Sequence, residues 1–452
     1  MHTIAAIATP HAAGGIAVIR ISGDTAISVA QQCFRSTGGK SLAEMSGYTC
    51  AYGSFLDTAG SELDDGIVFR TPHSYTGEDT VEFSCHGGIF VTRQLLETVY
   101  AAGAQPAEAG EFTKRAFLAG KMTLTQAEAV MDVIGAAGKR ELAFAHAQQN
   151  GALFHRVQQI SQGIVRSLGD LAAWADYPED EIPAVTPESL HAALHPVLEQ
   201  LDSTLATYDY GRILQSGVSA VIVGKPNVGK STLFNLLSGS QRSIVTEIAG
   251  TTRDVVEEQI RLGNVTLRLS DTAGLRETED VIEQMGVKIA EERLAQADLI
   301  LAVFDTTRPL DDDDRRMLEQ LPEKPVIAIL NKSDQSAQLD TDELEPYFSR
   351  VITMAAREGS GLEQLQQAVE ELFYQAEVTP ELGIVANARQ KQCLEQAREQ
   401  VQLALEALDA GELLDAVTVL LEEAADALLT LTGERVSEAV VNDVFSRFCV
   451  GK

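Results

Sequence analysis

An apolar run, Val218 to Val223, leads into Gly224-Lys-Pro-Asn227-Val228-Gly229-Lys230-Ser231-Thr232, and helix-forming residues follow. This is a complete G-x-x-x-x-G-K-[ST] loop between a strand and a helix, the setting in which such a loop cradles phosphates. Its glycines let backbone N–H groups curl around the anion, and the following helix presents its positive end. Lys230 then reaches the β- and γ-phosphates, and Ser231 holds Mg²⁺. No other stretch of the 452-residue chain restricts the fold as strongly.

Three companions fix the base and the chemistry. Glu257–Leu262 and Val265–Leu269 form a hairpin about Gly263-Asn264, a turn-forming pair between alternating strands. The second strand ends in Asp271-Thr272-Ala273-Gly274, where Asp271 meets Mg²⁺ through water and the Gly274 N–H senses the γ-phosphate. Asn331-Lys332-Ser333-Asp334 follows the apolar strand Val326 to Leu330. A carboxylate at Asp334 accepts two hydrogen bonds from the guanine edge, and adenine would leave it unpaired. Thr251-Thr252, within Gly250-Thr-Thr-Arg-Asp254, supplies a switch threonine. Val351 to Arg357 reads as a strand carrying the fifth guanine loop. There Ala355 stands where serine is common, ahead of Ala356 and Arg357, and a backbone N–H suffices for the guanine O6. The four motifs in this order identify a GTP-binding, Ras-like domain.

Hydrolysis needs a group to orient water. The residue after Gly274 is Leu275 rather than the glutamine Ras-like enzymes use. A carboxylate must substitute, with Glu277, Glu279 and Glu283 available. The transition state also needs a cation, and a monovalent ion near Asn227 would serve. Asn227 equally suits a purely loop-shaping role.

Composition bounds the rest. The formal net charge of −31 argues against broad nucleic-acid binding through basic patches. No apolar run approaches the roughly 18 to 20 residues of a membrane span, and the first residues carry no signal-peptide pattern. Five scattered cysteines without a C-x-x-C pair fit a reducing cytoplasm. Residues 1–118 mix short strands with helices in an α+β pattern, including Gly15–Gly23, Asp79–Cys85 and a helix from Ile89 closed by Gly103. Residues 119–216 read as helical, with a capping box at Thr125 and Glu128 and a break at Tyr177–Pro183. Residues 217–375 alternate strand and helix, and 376–452 return to helix. The expected architecture is multidomain α/β. It has an N-terminal α+β domain, a discontinuous helical domain and an inserted P-loop GTPase.

In these motifs and in others outside the nucleotide-binding region, the chain resembles, nearly end to end, the MnmE (TrmE) GTPases of tRNA modification. The likeness rests on Ser74-Tyr-Thr-Gly-Glu-Asp79, His86-Gly-Gly88, Gly110-Glu-Phe-Thr-Lys-Arg-Ala-Phe117, Leu124-Thr-Gln-Ala-Glu-Ala129 and the final Cys449-Val-Gly-Lys452. It also rests on Gly250–Asp254 and Asp271–Arg276. This chain departs from the family pattern at two places: Ala109 stands for the usual proline, and Ala119 for asparagine before Gly120-Lys121.

The resemblance implies that Asn227, Thr246, Ile248 and Thr251 surround a potassium ion, within a switch loop that includes Glu247, Ala249 and Gly250. It implies Glu283 as the water-orienting catalytic residue, Mg²⁺ on Ser231 and Thr252, and activation when two GTPase domains meet across a homodimer. It implies a 5,10-methylene- or 5-formyl-tetrahydrofolate site at Arg20, Glu82, Lys121 and Lys452. Read without the resemblance, Arg20 is a structural ion-pair partner and Glu82 and Lys121 are surface charges. Cys449 is a reactive thiol or is buried beside Val444, Phe445 and Phe448. The implied activity is a potassium-dependent GTPase that works with an FAD-containing MnmG-type partner as a heterotetramer. Together they add a carboxymethylaminomethyl or aminomethyl group to C5 of the wobble uridine of tRNA. Two rivals stand beside it: a ribosome-assembly switch GTPase, and a GTP-gated folate-binding regulator.

Overall fold

The computed structural model describes residues 2–176, 185–240, 257–270, 294–344, 346–374 and 379–452. The chain divides into two compact units. One comprises residues 1–131, 149–195 and 396–452, the other residues 132–148 and 196–395. Among the described residues, no helix is long and apolar enough to cross a membrane.

The first unit opens with β1 (Ile4–Ile7), β2 (Ile16–Ser22), α1 (Ala26–Cys33), β3 (Phe34–Ser36), β4 (Thr49–Leu56), β5 (Glu62–Thr71), β6 (Thr80–His86), α2 (Ile89–Ala101) and β7 (Gln105–Pro106). The seven strands form one sheet in the order β3-β4-β5-β6-β2-β1-β7. All pairs are antiparallel except β1 with β7. Alternation decides which face is covered. Ile19, Ile21, Phe55, Val68, Val81 and Phe83 are buried with residues of α1 and α2, while Tyr52, Ile67 and Phe69 on the other face are exposed. The strands expected at Gly15–Gly23 and Asp79–Cys85 are β2 and β6. Gly103 closes α2 at φ +115, with its N–H donating to the Tyr100 carbonyl.

Helices α3 (Glu111–Leu118), α4 (Leu124–Gly135), α5 (Lys139–Gln149), α6 (Ala152–Asp176), α7 (Pro187–Leu205) and α8 (Tyr208–Ser216) follow. The expected capping box on Thr125 and Glu128 is displaced by two residues. Thr123 caps α4: its hydroxyl accepts from the Gln126 N–H at 3.3 Å, and its own N–H donates to the Gln126 side chain at 2.9 Å. Thr125 is a buried residue of the first turn. Glutamine serves as well as glutamate at that third position, which is why both registers fit the sequence. The break expected at Tyr177–Pro183 lies outside the described residues.

In the second unit, β8 (Val218–Val223), α9 (Lys230–Ser240), β9 (Glu257–Leu262), β10 (Val265–Ser270), β11 (Leu299–Asp305), α10 (Asp312–Glu319), β12 (Val326–Asn331), β13 (Val351–Thr353) and α11 (Leu362–Phe373) build the nucleotide-binding fold. The six-stranded sheet has the order β13-β12-β11-β8-β10-β9 and is parallel except for the β9–β10 hairpin. A sheet covered on both faces explains the unbroken apolar runs. Leu299, Leu301 and Val303 of β11 enter one core, and Ala302 and Phe304 enter the other. The strand expected from Val351 stops at Thr353, because the Ala355 N–H turns to the Ser360 carbonyl and closes a loop. The acidic run Asp311–Asp314 is a helix start: Asp311 caps α10 and shares a reciprocal capping box with Asp314. The chain ends with α12 (Ala388–Asp409), α13 (Leu414–Thr432) and α14 (Glu438–Ser446), and α13 packs along α6.

Candidate functional site

The phosphate-binding loop leaves the C-terminal end of β8, where parallel α/β sheets place their ligands. Gly224 sits at φ +145, and a Cβ there would lie 2.5 Å from the Val303 carbonyl oxygen. Gly229 sits at φ +105, and its Cβ would lie 2.0 Å from Nδ2 of Asn331. Neither position accepts a side chain, so the loop backbone stays bare for an anion. Lys230 Nζ donates to the carbonyls of Gly224 and Lys225 at 2.7 and 2.8 Å. That leaves one of its three donors for a phosphate. Burial holds the Lys230 ammonium below the ordinary lysine value. Val228 is buried, while Asn227, Ser231 and Thr232 are exposed.

The base side of the site is tied to this loop through Asn331. Its carboxamide donates to the Val228 carbonyl at 2.9 Å and accepts from the Ala356 N–H at 3.0 Å. Asn331 is 3% exposed, so it acts here as a cross-tie between two loops. Lys332 Nζ bonds Asp305 at 2.5 Å. Burial opposes the Asp305 charge, yet the bonds from Lys332 and Thr307 outweigh it and hold that carboxyl below the usual range. Ser333 and Asp334 are exposed, and the Ser333 N–H donates to the Met354 carbonyl. Ala355 and Ala356 are buried with both N–H groups engaged inside the protein. Among the described residues, no acceptor is paired with the N–H of exposed Arg357.

The switch residues expected at Thr246, Glu247, Ile248, Ala249, Gly250, Thr251, Thr252, Asp271, Thr272, Ala273, Gly274 and Glu283 lie outside the described residues. The hairpin between them, β9–β10, has the expected Gly263-Asn264 turn.

A second site lies in the N-terminal sheet. Arg20 of β2 stands opposite Glu82 of β6 in register, with its Nε donating to the carboxylate at 2.7 Å. The ion pair expected of a bare strand arginine is therefore present. The same pair lines a cavity of about 370 Å³ together with Tyr48, His73, Ser74 and Lys121. Lys121 Nζ bonds the Ser74 carbonyl. The C-terminal tail closes over this region. Val450 bridges Ala109, the Gly110 N–H donates to the Cys449 carbonyl, and the Arg20 guanidinium reaches the Gly451 carbonyl at 3.3 Å. Gly451 sits at φ +96 with the Ile7 carbonyl where a Cβ would go, 2.5 Å away. Lys452 is half-buried beside the tail but does not line the cavity. Cys449 is exposed, which removes burial as its role.

Backbone strain marks both sites. Among the described residues, four that are not glycine have positive φ: Tyr48, His73, Asn227 and Lys332. Two line the cavity, and two belong to the nucleotide loops. Such conformations cost of order 1–3 kcal/mol and persist where the surroundings over-determine them. Sequence reading missed Tyr48 and His73, since nothing local distinguishes a left-handed tyrosine or histidine.

Residues 124–449 match the MnmE helical domain, and residues 3–121 match the GTP-binding protein TrmE N-terminus. A curated relative from Acetivibrio thermocellus, the tRNA modification GTPase MnmE, is 40% identical across all of this chain and 99% of that protein. The protein of the same name from Geobacillus kaustophilus is 39% identical over the same shares. Among solved structures, Aquifex aeolicus Era bound to GDP·AlF4⁻ is 30% identical over 41% of this chain and 67% of that one, with a TM-score of 0.29.

Proposed function

Because the chain belongs to the MnmE family of tRNA modification GTPases, we propose that it uses GTP turnover to drive attachment of a carboxymethylaminomethyl or aminomethyl group to C5 of the wobble uridine. At the coarser level it is a GTP hydrolase acting in tRNA modification, with GTP and Mg²⁺ as ligands.

The loop glycines and the Lys230 ammonium hold the β- and γ-phosphates, and Asp334 reads the guanine edge. Ser231, with Thr252, would hold Mg²⁺, which neutralises phosphate charge when bound. Asn227 is exposed at a left-handed position beside the phosphate loop, and its carboxamide oxygen suits a monovalent cation. With Thr246, Ile248 and Thr251 it would hold K⁺ in the charge-neutralising role of an arginine finger. By family resemblance Glu283 orients the attacking water, the role that Leu275 leaves unfilled.

The observation that carries the modification reading is the cavity at Arg20, Glu82 and Lys121 in the same chain as a GTPase. A carboxylate suits the donor edge of a pterin, and cationic groups suit the glutamate carboxylates of tetrahydrofolate. The exposed Cys449 thiol stands on the tail that closes over this region. The active assembly is a homodimer joined by an FAD-containing MnmG-type partner in the cytoplasm.

Nucleoside mass spectrometry of tRNA from cells lacking the chain tests this. The modified wobble uridine should vanish, returning with the intact protein and not with Lys230→Ala. Unchanged nucleosides in the deletion strain would end the modification reading and leave the GTPase.

A further inference from the structure

The hairpin β9–β10 leaves its base at Glu257 and Ser270, adjoining the two stretches in which the sequence places the switch residues. Its six-residue strands carry the Gly263-Asn264 tip about 20 Å away. That tip is gripped from two directions. Glu370 at the end of α11 accepts from the Asn264 N–H at 2.8 Å and from its side-chain amide at 3.2 Å. The Tyr374 hydroxyl donates to the Asn264 carbonyl at 3.2 Å.

The second grip comes from α5, a helix placed in the sequence before the whole nucleotide-binding fold. Glu141 is 8% exposed. One of its oxygens accepts from the N–H groups of Ala137 and Gly138, which fixes the start of α5. The other accepts from the Thr266 hydroxyl on β10 at 2.7 Å. The Arg140 guanidinium lies 4.7 Å over the Tyr374 ring and joins the two grips. A buried carboxylate is expensive unless its bonds are made, and the bond from Thr266 is made only with the hairpin in its present position.

We infer that Glu141 is a positioning residue that couples nucleotide state to the helical segment, by gripping the hairpin between the switches at Thr266. The two strands act as a lever: displacement at the base reaches the tip, and Glu141 passes it to the first turn of α5. This rests on the GTPase reading for the position of the switches, and only its last readout rests on tRNA modification.

The test is hydrogen exchange of residues 139–149 in the full-length protein, with GDP and then with a non-hydrolysable GTP analogue plus Mg²⁺ and K⁺. In the natural chain the two states should differ at least threefold in exchange rate. Thr266→Val, which keeps shape and removes the hydroxyl, should bring that difference below 1.5-fold while GTP affinity stays within about twofold. Thr266→Ser should restore the difference, which a purely structural role of the residue would not predict. Glu141→Gln should behave as Thr266→Val, and the double variant should be no worse than either single one. Modified uridine formed per GTP hydrolysed should fall at least tenfold in Thr266→Val. Exchange of α5 that ignores the nucleotide in the natural chain, or a response that survives Thr266→Val, would overturn the inference. An α5 response lost in Thr266→Val, with no uridine modification by any form, would sustain the coupling and sink the modification reading instead.

Discussion

Gly229→Ala perturbs the phosphate loop in a way whose size follows from three distances. An alanine at φ +105 adopts a left-handed backbone, which costs about 1–2 kcal/mol. Its methyl would stand 2.0 Å from Nδ2 of Asn331, so that side chain must leave. Its departure abandons the Val228 carbonyl and the Ala356 N–H, bonded at 2.9 and 3.0 Å. Leaving each buried group unpaired costs about 1–3 kcal/mol. The combined loss is about 3–8 kcal/mol of folded-state stability, against a total of about 5–15 kcal/mol for a typical domain. Denaturant unfolding should therefore show a clearly lower midpoint, and fluorescent GDP titration should show weaker binding to the rearranged loop. Asn331→Ala alone removes the same two bonds without the clash. If displacement of Asn331 is the main damage, the double variant must be much less impaired than the two single losses added together. Additive losses, or a Gly229→Ala protein that binds GDP within twofold of the natural chain, would refute the cross-tie.

Other expectations are independent of that loop. Arg20→Ala or Lys121→Ala should weaken 5-formyl-tetrahydrofolate binding at least tenfold by calorimetry and leave GDP affinity unchanged. Native protein should expose Cys50 and Cys449 to a disulfide reagent at once, whereas Cys33, Cys85 and Cys393 react only on unfolding. Burial also pushes the Cys33 thiol up to about 12 and the Cys85 thiol up to about 11. The exposed His86 ring bonds Asp64 at 2.7 Å, which raises its titration above 6.5. The stabilisation it adds is therefore fully present below pH 6.5 and fades as pH rises through the folded value. An NMR titration of His86 that does not move down in Asp64→Asn would contradict this.

The sequence exposed those parts of the fold whose signals are local. The phosphate loop, the Gly263-Asn264 turn and the apolar runs of β8 and β12 stand where pattern and turn chemistry placed them. The cap of α4 was misplaced because Thr123 and Thr125 both precede a suitable partner at the third position. The end of β13 was overrun because Ala355 looks like strand, and only its bond to Ser360 ends the pairing. The double duty of Asn331 was not legible, since its partners are 103 and 25 positions away. In the N-terminal cavity the charged residues came from family resemblance, while Tyr48 and His73 needed coordinates. Their backbone conformations are imposed by the tertiary fold, and no residue preference announces them.

The clasp of the C-terminal tail on the N-terminal sheet also has a consequence in time. Arg20 and the Gly451 carbonyl that it holds are separated by 431 positions. At about 5–20 residues per second, roughly 20 to 90 seconds of synthesis pass between them. Throughout that interval the sheet must hold its arginine through Glu82 and the Phe112 ring, without the tail carbonyl, while the whole GTPase fold emerges and closes. The bonds of Arg20 are thus begun first and completed last. A nascent chain stalled before residue 449 should carry a working GTPase and an Arg20 that still lacks its tail carbonyl.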